Sequence, residues 1–478
     1  MEKYTQQYIN GQWVEGSGKS ILENYNPYTG ELLYTYRSAS KEDVDQAYKA
    51  AKIAQPVWAA LMPAERVGYL EKLLQAMIDL EDETRAVLIE EGGSAHAKVE
   101  FEIHTIRAIV REAMSFPEHM NGTIMPSNIP GKKNFIIREP RGVFGVIAPW
   151  NVPFVLALRS VVPAIATGNT VLLKPASDTP ASALLIAKMF DQAGFPPGVF
   201  NAIVGKGSEI GDSITNHPIP DAISFTGSTE VGTRIGEMAG RNIKDVSLEL
   251  GGNNVMLVLK DADLDAAVRA AVFGTFFNAG QVCMRINRIV AVDEVYDVFK
   301  EKFVKAVRNI SVGDPADPAN LYGPVVSVSQ RDKVNGYVQQ AIAEGAIVEL
   351  EGRTEGNVIY PWVLGEVNNT MATASNEVFG PAVSLIRVKD ENEGVSVSND
   401  TEYGLSGSVF TQDLYHGLQI AQKIDSGMVH VNDQPINDEA HVMFGGEKKS
   451  GLGRFNGKWV ADKFTTERWI SVQEHDRF

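Results

Sequence analysis

The sequence predicts an α/β protein with more than one domain. Three observations carry this. The chain is 478 residues long, more than one hydrophobic core organises. It is 44% hydrophobic and 22% charged, which suits a folded globular protein. From residue 142 onward, short apolar segments alternate with helical ones, the pattern of βαβ units around a parallel sheet.

The elements follow in order. Residues 41–115 read as helices, because apolar residues recur three and four apart in "KEDVDQAYKAAKIAQPVWAAL", "PAERVGYLEKLLQAMIDLEDETRAVLIEEGG" and "EFEIHTIRAIVREAMSF". Residues 121–134 are polar and carry Gly and Pro, and an alternating run, "NFIIREPRG", follows. Then come the strand "GVFGVIAPW", the helix "FVLALRSVVPAIATG", the strand "NTVLLKP", the helix "PASALLIAKMFDQAG" and the strands "VFNAIVG" and "AISFTGS". These set out a doubly wound nucleotide-binding domain over about 142–247. A second α/β series starts near "NVMLVL" and fills 248–445. The segments 121–140 and 446–478, the latter with a strand-like "TERWISVQ", form a small β element and a tail.

Composition excludes several classes. Lys and Arg number 44 against 60 Asp and Glu, a formal charge of -16, which argues against nucleic-acid or anionic-membrane partners. No apolar run reaches the roughly 18 residues of a membrane span, and the longest is broken by Arg159 and Pro163. The start, "MEKYTQQYINGQW", lacks the basic and apolar regions of a signal peptide. A single cysteine allows neither an intrachain disulfide nor a multi-cysteine zinc site. A cytoplasmic location without a bound metal is expected.

That cysteine, Cys283, lies in "FFNAGQVCMRINR". A lone cysteine is ordinarily a small buried hydrophobe, yet its small and polar neighbours suit a loop that presents a nucleophile. Glu249 in "SLELGGNN" reads either as a surface residue before a turn or as a buried general base. Asn151 in "APWNVP" supplies either turn chemistry or an oxyanion donor. No histidine sits in a comparable strand-end motif. Two glycine-rich turns compete for a phosphate. Gly205–Gly211 nearly matches G-x-G-x-x-G, with its third glycine one position late. Gly227–Gly232 follows a strand and opens a helix, where backbone N–H groups hold anions.

Taken together, the ordered segments "YINGQW", "NPYTGE", "APWNVP", "LLKPAS", "FTGSTEVG", "LELGGNN", "NAGQVC", "EVFGP", "YGLSGSVFT", "FGGEKKSGLGR" and "FTTERW" resemble the NAD(P)-dependent aldehyde dehydrogenase superfamily along nearly the whole chain. The resemblance implies a Rossmann-type cofactor domain over 1–120 and 141–247, an α/β catalytic domain over 248–445 and a β oligomerisation element and tail from 121–140 and 446–478. It implies a homodimer or homotetramer. Cys283 matches the nucleophile, Asn151 the oxyanion donor together with the Cys283 backbone N–H, and Glu249 the residue that activates water on the thioester. Gly227, Ser228 and Gly232 match the phosphate-binding turn, with Phe225, Val231 and Leu250 around it. Ile147, Ala148, Pro149 and Trp150 match further cofactor contacts. Lys174 matches the lysine at the adenine ribose, Glu377 the carboxylate at the nicotinamide ribose, and Phe379 lies beside the ring. Gly207 and Gly211 take a secondary place on the adenosine side.

Two departures stand out. Ser177 occupies the position where many NAD-preferring relatives carry a glutamate that repels a 2′-phosphate, so use of both NAD and NADP is expected. Phe455 replaces a glutamate common after "SGLGR". By position, the substrate pocket is assigned to Val152, Val155, Arg159, Val282, Met284 and Phe444. The wording around them resembles the benzaldehyde and vanillin dehydrogenase branch, which points to aromatic aldehydes. Arg159 keeps a semialdehyde open as the substrate, by analogy with relatives that hold a carboxylate there. A cofactor-independent thiol esterase is the alternative from another class.

Overall fold

The computed structural model describes residues 4–478. Four helices come first: α1 (Lys41–Ala59), α2 (Pro63–Asp79), α3 (Glu81–Glu90) and α4 (His96–Ala113). In α4 the residues Val99, Ile103, Ile106 and Val110 are buried, an apolar stripe at spacings of three and four that packs the helix on its neighbours.

The first sheet has eight strands, in the order Gln12–Val14, Gln7–Ile9, Phe200–Ala202, Thr170–Lys174, Val143–Ile147, Ala222–Thr226, Asp245–Glu249 and Gly451–Leu452. The five from Phe200–Ala202 to Asp245–Glu249 are parallel. Crossovers are made by α5 (Pro153–Ala166), α6 (Pro180–Gln192), α7 (Gly207–Asn216) and α8 (Thr229–Arg241). Strand Val143–Ile147 is flanked by Thr170–Lys174 on one side and Ala222–Thr226 on the other. The strand order therefore reverses beside it, and the loops leaving these strand ends open a crevice where α/β sheets bind ligands.

The second sheet runs Ile347–Leu350, Trp362–Gly365, Ala382–Val388, Ile286–Val292, Asn254–Val258, Ser406–Phe410 and Met428–Val431. All its pairings are parallel except that of the Ile347–Leu350 edge. Helices α9 (Leu264–Phe276), α10 (Asp293–Val307) and α11 (Val328–Ala343) belong to this half. Strands such as Thr170–Lys174 and Asn254–Val258 are buried at every position, which is why they read as unbroken apolar runs. Thr123–Met125, Lys132–Pro140 and Thr465–Gln473 form a separate antiparallel sheet. Among the described residues no helix is long and apolar enough to cross a membrane.

The expected boundaries need two corrections. Strand Asp245–Glu249 carries the first sheet beyond residue 247. Residues 451–464, expected in the tail, join the first half instead, while Glu447–Lys448 pair with Tyr403–Gly404 just before the second sheet's Ser406–Phe410 strand. Gly451 has φ +151° and pairs with Glu249, and a Cβ there would lie 2.2 Å from the Leu248 carbonyl oxygen, so only glycine lets this edge close. Phe464 then packs edge-on against Phe144, with ring centroids 4.7 Å apart.

Candidate active site

The site begins with a strained loop. After α9 the chain passes through Asn278 (φ +53°), Ala279 (φ +54°) and Gly280 (φ +69°), three consecutive left-handed residues. For the alanine this costs roughly 1–2 kcal/mol. A Cβ at Gly280 would lie 2.4 Å from the Gly380 carbonyl oxygen. The loop is tied down on both sides. The Val326 N–H donates to Gln281 Oε1 at 2.9 Å, and Asn254 Nδ2 donates to the Cys283 carbonyl at 2.7 Å. Cys283 is thereby presented, partly exposed, in the crevice at the end of the first sheet.

Asn151 leaves strand Val143–Ile147 and faces this loop. Its Nδ2 donates to the Gln281 carbonyl at 3.0 Å, and its own carbonyl accepts from Asn278 Nδ2 at 3.3 Å. The first contact orients the amide and leaves a second N–H free in the cleft that Asn151 and Cys283 both line. Glu249 ends strand Asp245–Glu249 at 2% exposure, with Oε1 lacking a partner. Burial pushes its carboxyl up to about 8; Glu377 and Asp438 add to this, while Arg159 and a hydrogen bond with the Cys283 thiol oppose it. Burial and then the Glu249 charge hold the Cys283 thiol well above its ordinary value. A thiol, a buried carboxyl and an amide thus line one cleft, the group types that acyl-transfer chemistry uses.

The cleft continues over the cofactor candidates. Ser228 caps α8, its hydroxyl accepting from the Val231 N–H at 3.4 Å. A Cβ at Gly227 would lie 2.5 Å from the Phe225 ring, and one at Gly232 would lie 2.2 Å from Leu250. Side chains are therefore kept off the start of the helix, whose N–H groups and dipole favour a phosphate. Val231 is exposed on the same turn. Ile147, Ala148 and Pro149 lead the chain to Trp150, whose ring meets Phe379 edge-on at 5.4 Å. Glu377 accepts the Gly252 N–H at 2.9 Å, and its carboxyl is raised to about 7, chiefly by burial. Outside the cleft's own lining, Ser177 donates to the Gly205 carbonyl at 3.2 Å. A Cβ on Gly207 would stand 4.0 Å from Lys174 Nζ, whereas Gly211 has no neighbour that requires glycine.

The structure sets the expected substrate residues behind the cleft surface. Val152, Val155, Val282, Met284 and Phe444 are buried in the apolar cluster against which Cys283 packs, and none lines the open cleft. Leu156 lines it instead. The backbone N–H of Val155 faces Glu102 on α4, which turns the next residue towards the cleft. Arg159, at 3% exposure, is paired with Asp438 and lies 4.0 Å above the Phe444 ring. Asn456 Nδ2 donates to the second Asp438 oxygen at 2.8 Å. Arg159 is thus held by an acid of the chain itself; breaking such a buried pair costs about 3–5 kcal/mol. Gln330 and Lys333 also line the cleft and were missed; they share one face of α11 and belong to no motif.

These electrostatics predict the reactivity of the sulfur. In the cofactor-free protein, alkylation of Cys283 by iodoacetamide should be slow at neutral pH. It should rise about tenfold per pH unit, with no plateau below about pH 9. Intact mass reads it cleanly because no other cysteine is present. A rate already at its plateau at neutral pH contradicts this picture.

Comparison with known proteins agrees with the geometry. Residues 13–470 match the model of the aldehyde dehydrogenase family. The chain is 47% identical to a vanillin dehydrogenase of Corynebacterium glutamicum, over 98% of each protein. It is 46% identical to a benzaldehyde dehydrogenase of Bacillus subtilis, over 100% of this chain and 98% of that protein. A crystal structure of a NAD-dependent benzaldehyde dehydrogenase from Corynebacterium glutamicum superposes with a TM-score of 0.91 at 43% identity, over 98% of each chain. The chain belongs to the aldehyde dehydrogenase family and is an aldehyde-oxidising enzyme.

Proposed function

We propose that the enzyme oxidises aromatic aldehydes of the benzaldehyde and vanillin type to their acids, with NAD or NADP as electron acceptor. The observation that carries this is the wall behind Cys283. Val152, Val155, Val282, Met284 and Phe444 make it apolar, and its one cation, Arg159, is already neutralised by Asp438. Leu156 carries that apolar layer to the cleft surface, where a ring can lie, and the paired Arg159 offers a substrate carboxylate little net charge. The aromatic aldehyde dehydrogenases among the relatives support the same reading. A semialdehyde substrate has one observation in its favour: Arg159 Nε and Nη1 have no partner.

The residues fit a nicotinamide dinucleotide: an α8 start kept free of side chains, a carboxylate at Glu377, and the Trp150 and Phe379 rings. When bound, the cofactor supplies the two-electron acceptor. The protein does the rest. The Cys283 thiol first passes its proton to water in the cleft, and the resulting thiolate attacks the aldehyde carbon. The second Asn151 N–H and the Cys283 backbone N–H hold the oxyanion. After oxidation the acyl group remains on sulfur as a thioester. Glu249 takes a proton from water, hydroxide adds to the thioester, and Cys283 leaves as thiolate. Below about pH 8 the Glu249 carboxyl is mostly protonated and cannot accept that proton, so hydrolysis gains rate as pH rises towards 8. Exposed Ile124, Trp469 and Val472 on the small sheet support assembly with a second copy, as a homodimer or homotetramer.

Two measurements test this. With benzaldehyde against succinic semialdehyde, kcat/KM should favour the aromatic aldehyde by about 100-fold; a preference for the semialdehyde returns Arg159 to the role of carboxylate holder. Ser177→Glu should lower kcat/KM for NADP by about 10-fold or more while leaving NAD within about threefold. Equal losses with both cofactors contradict the dual-use reading.

A further inference from the structure

Helix α5 poses a problem of capping. All of its residues are buried, so an unpaired N–H in its first turn is costly. Its N-cap, Val152, has no side-chain oxygen, and Pro153 at the first position has no N–H. The Leu156 N–H bonds to the Val152 carbonyl at 3.0 Å. The Phe154 and Val155 N–H groups remain, and both donate to one oxygen, Glu102 Oε2, at 3.0 and 3.3 Å. Glu102 comes from α4, is fully buried, and keeps its other oxygen on the equally buried Lys98. Lys98 in turn donates to Ser94 Oγ at 2.9 Å.

A buried carboxylate on a helix N-terminus joins charge to hydrogen bonding. Here the capped turn starts two residues after Asn151, whose amide meets the Cys283 loop at Gln281. The same turn carries Leu156 into the cleft. The device recurs at α6, which also opens with a proline and has no local side-chain cap. There the buried Glu91 accepts the Ala181 N–H at 3.1 Å. Remote glutamates from the first helical layer thus finish two crossover helices of the cofactor half.

We propose that Glu102 is a positioning residue of the oxidation: by capping α5 from α4, it fixes the Asn151 amide against the Cys283 loop. This rests on the reading of Asn151 as oxyanion donor. Neither Glu102 nor Lys98 touches the cleft, so any effect on the reaction passes through the turn they hold.

A double-mutant cycle tests it. Glu102→Asp draws the carboxylate back by one methylene and keeps the charge beside Lys98. In the wild-type background kcat should fall about 10-fold or more, with KM for the cofactor within about twofold. In an Asn151→Ala background the same change should lower the residual kcat by less than about twofold, because the group it positions is gone. Glu102→Gln with Lys98→Met keeps an acceptor at full reach without a lone buried cation, and should retain kcat within about threefold. Where Glu102→Asp does not fold, Glu102→Leu with Lys98→Met takes its place in both backgrounds. An unchanged kcat, or an equal fold-loss in both backgrounds, overturns the proposal for Glu102 alone. An Asn151→Ala enzyme with full kcat overturns the reading of Asn151, and this proposal with it.

Discussion

The site depends on a crossing of four residues, Leu250 to Asn253. Strand Asp245–Glu249 ends the parallel part of the first sheet and strand Asn254–Val258 starts inside the second. Between them the backbone must pass two groups at very close range. A Cβ at Gly251 would lie 2.5 Å from Glu377 Oε2, and one at Gly252 would lie 2.5 Å from the Cys283 carbonyl oxygen. Because both residues are glycines, Glu249 from one half, Cys283 from the other and the Glu377 carboxylate meet at one point. Asn254 locks the junction, donating to the Cys283 and Arg285 carbonyls at 2.7 and 2.8 Å and accepting the Ser406 N–H at 2.9 Å.

That convergence concentrates charge where water is scarce. Glu377 and Asp438 raise the Glu249 carboxyl, all three acids raise the Cys283 thiol, and Arg159 opposes both effects. The arrangement lowers stability as pH rises. A carboxyl held neutral to about 8 in the fold ionises near 4.3 in the unfolded chain. The unfolded state therefore gains on the folded one through that interval. The chemistry benefits from the same burial, since a carboxylate with a raised proton affinity is a better base towards water at neutral to alkaline pH.

Much of this was legible in the sequence, for physical reasons. Strands buried on both faces read as continuous apolar runs, and strand-end motifs marked Asn151, Glu249 and the Gly227–Gly232 turn. What was not legible depended on neighbours distant along the chain. Leu156 lies on a helix buried all round, so no polar face orients it. Glu102 and Lys98 read as ordinary surface charges of an amphipathic helix until α5 covers them. The Arg159–Asp438 pair spans 279 positions. The edge strand Gly451–Leu452 is too short to carry a period of its own.

The central claim is that Cys283 carries the acyl group and Glu249 releases it. The most direct measurement is acid-quenched mass spectrometry of the Glu249→Gln protein mixed with benzaldehyde and NAD. The account predicts about one benzoyl group per chain, mapped to the Cys283 peptide, with a burst of reduced cofactor of matching size and slow turnover thereafter. Undiminished steady turnover with no acyl adduct on Cys283 would contradict it.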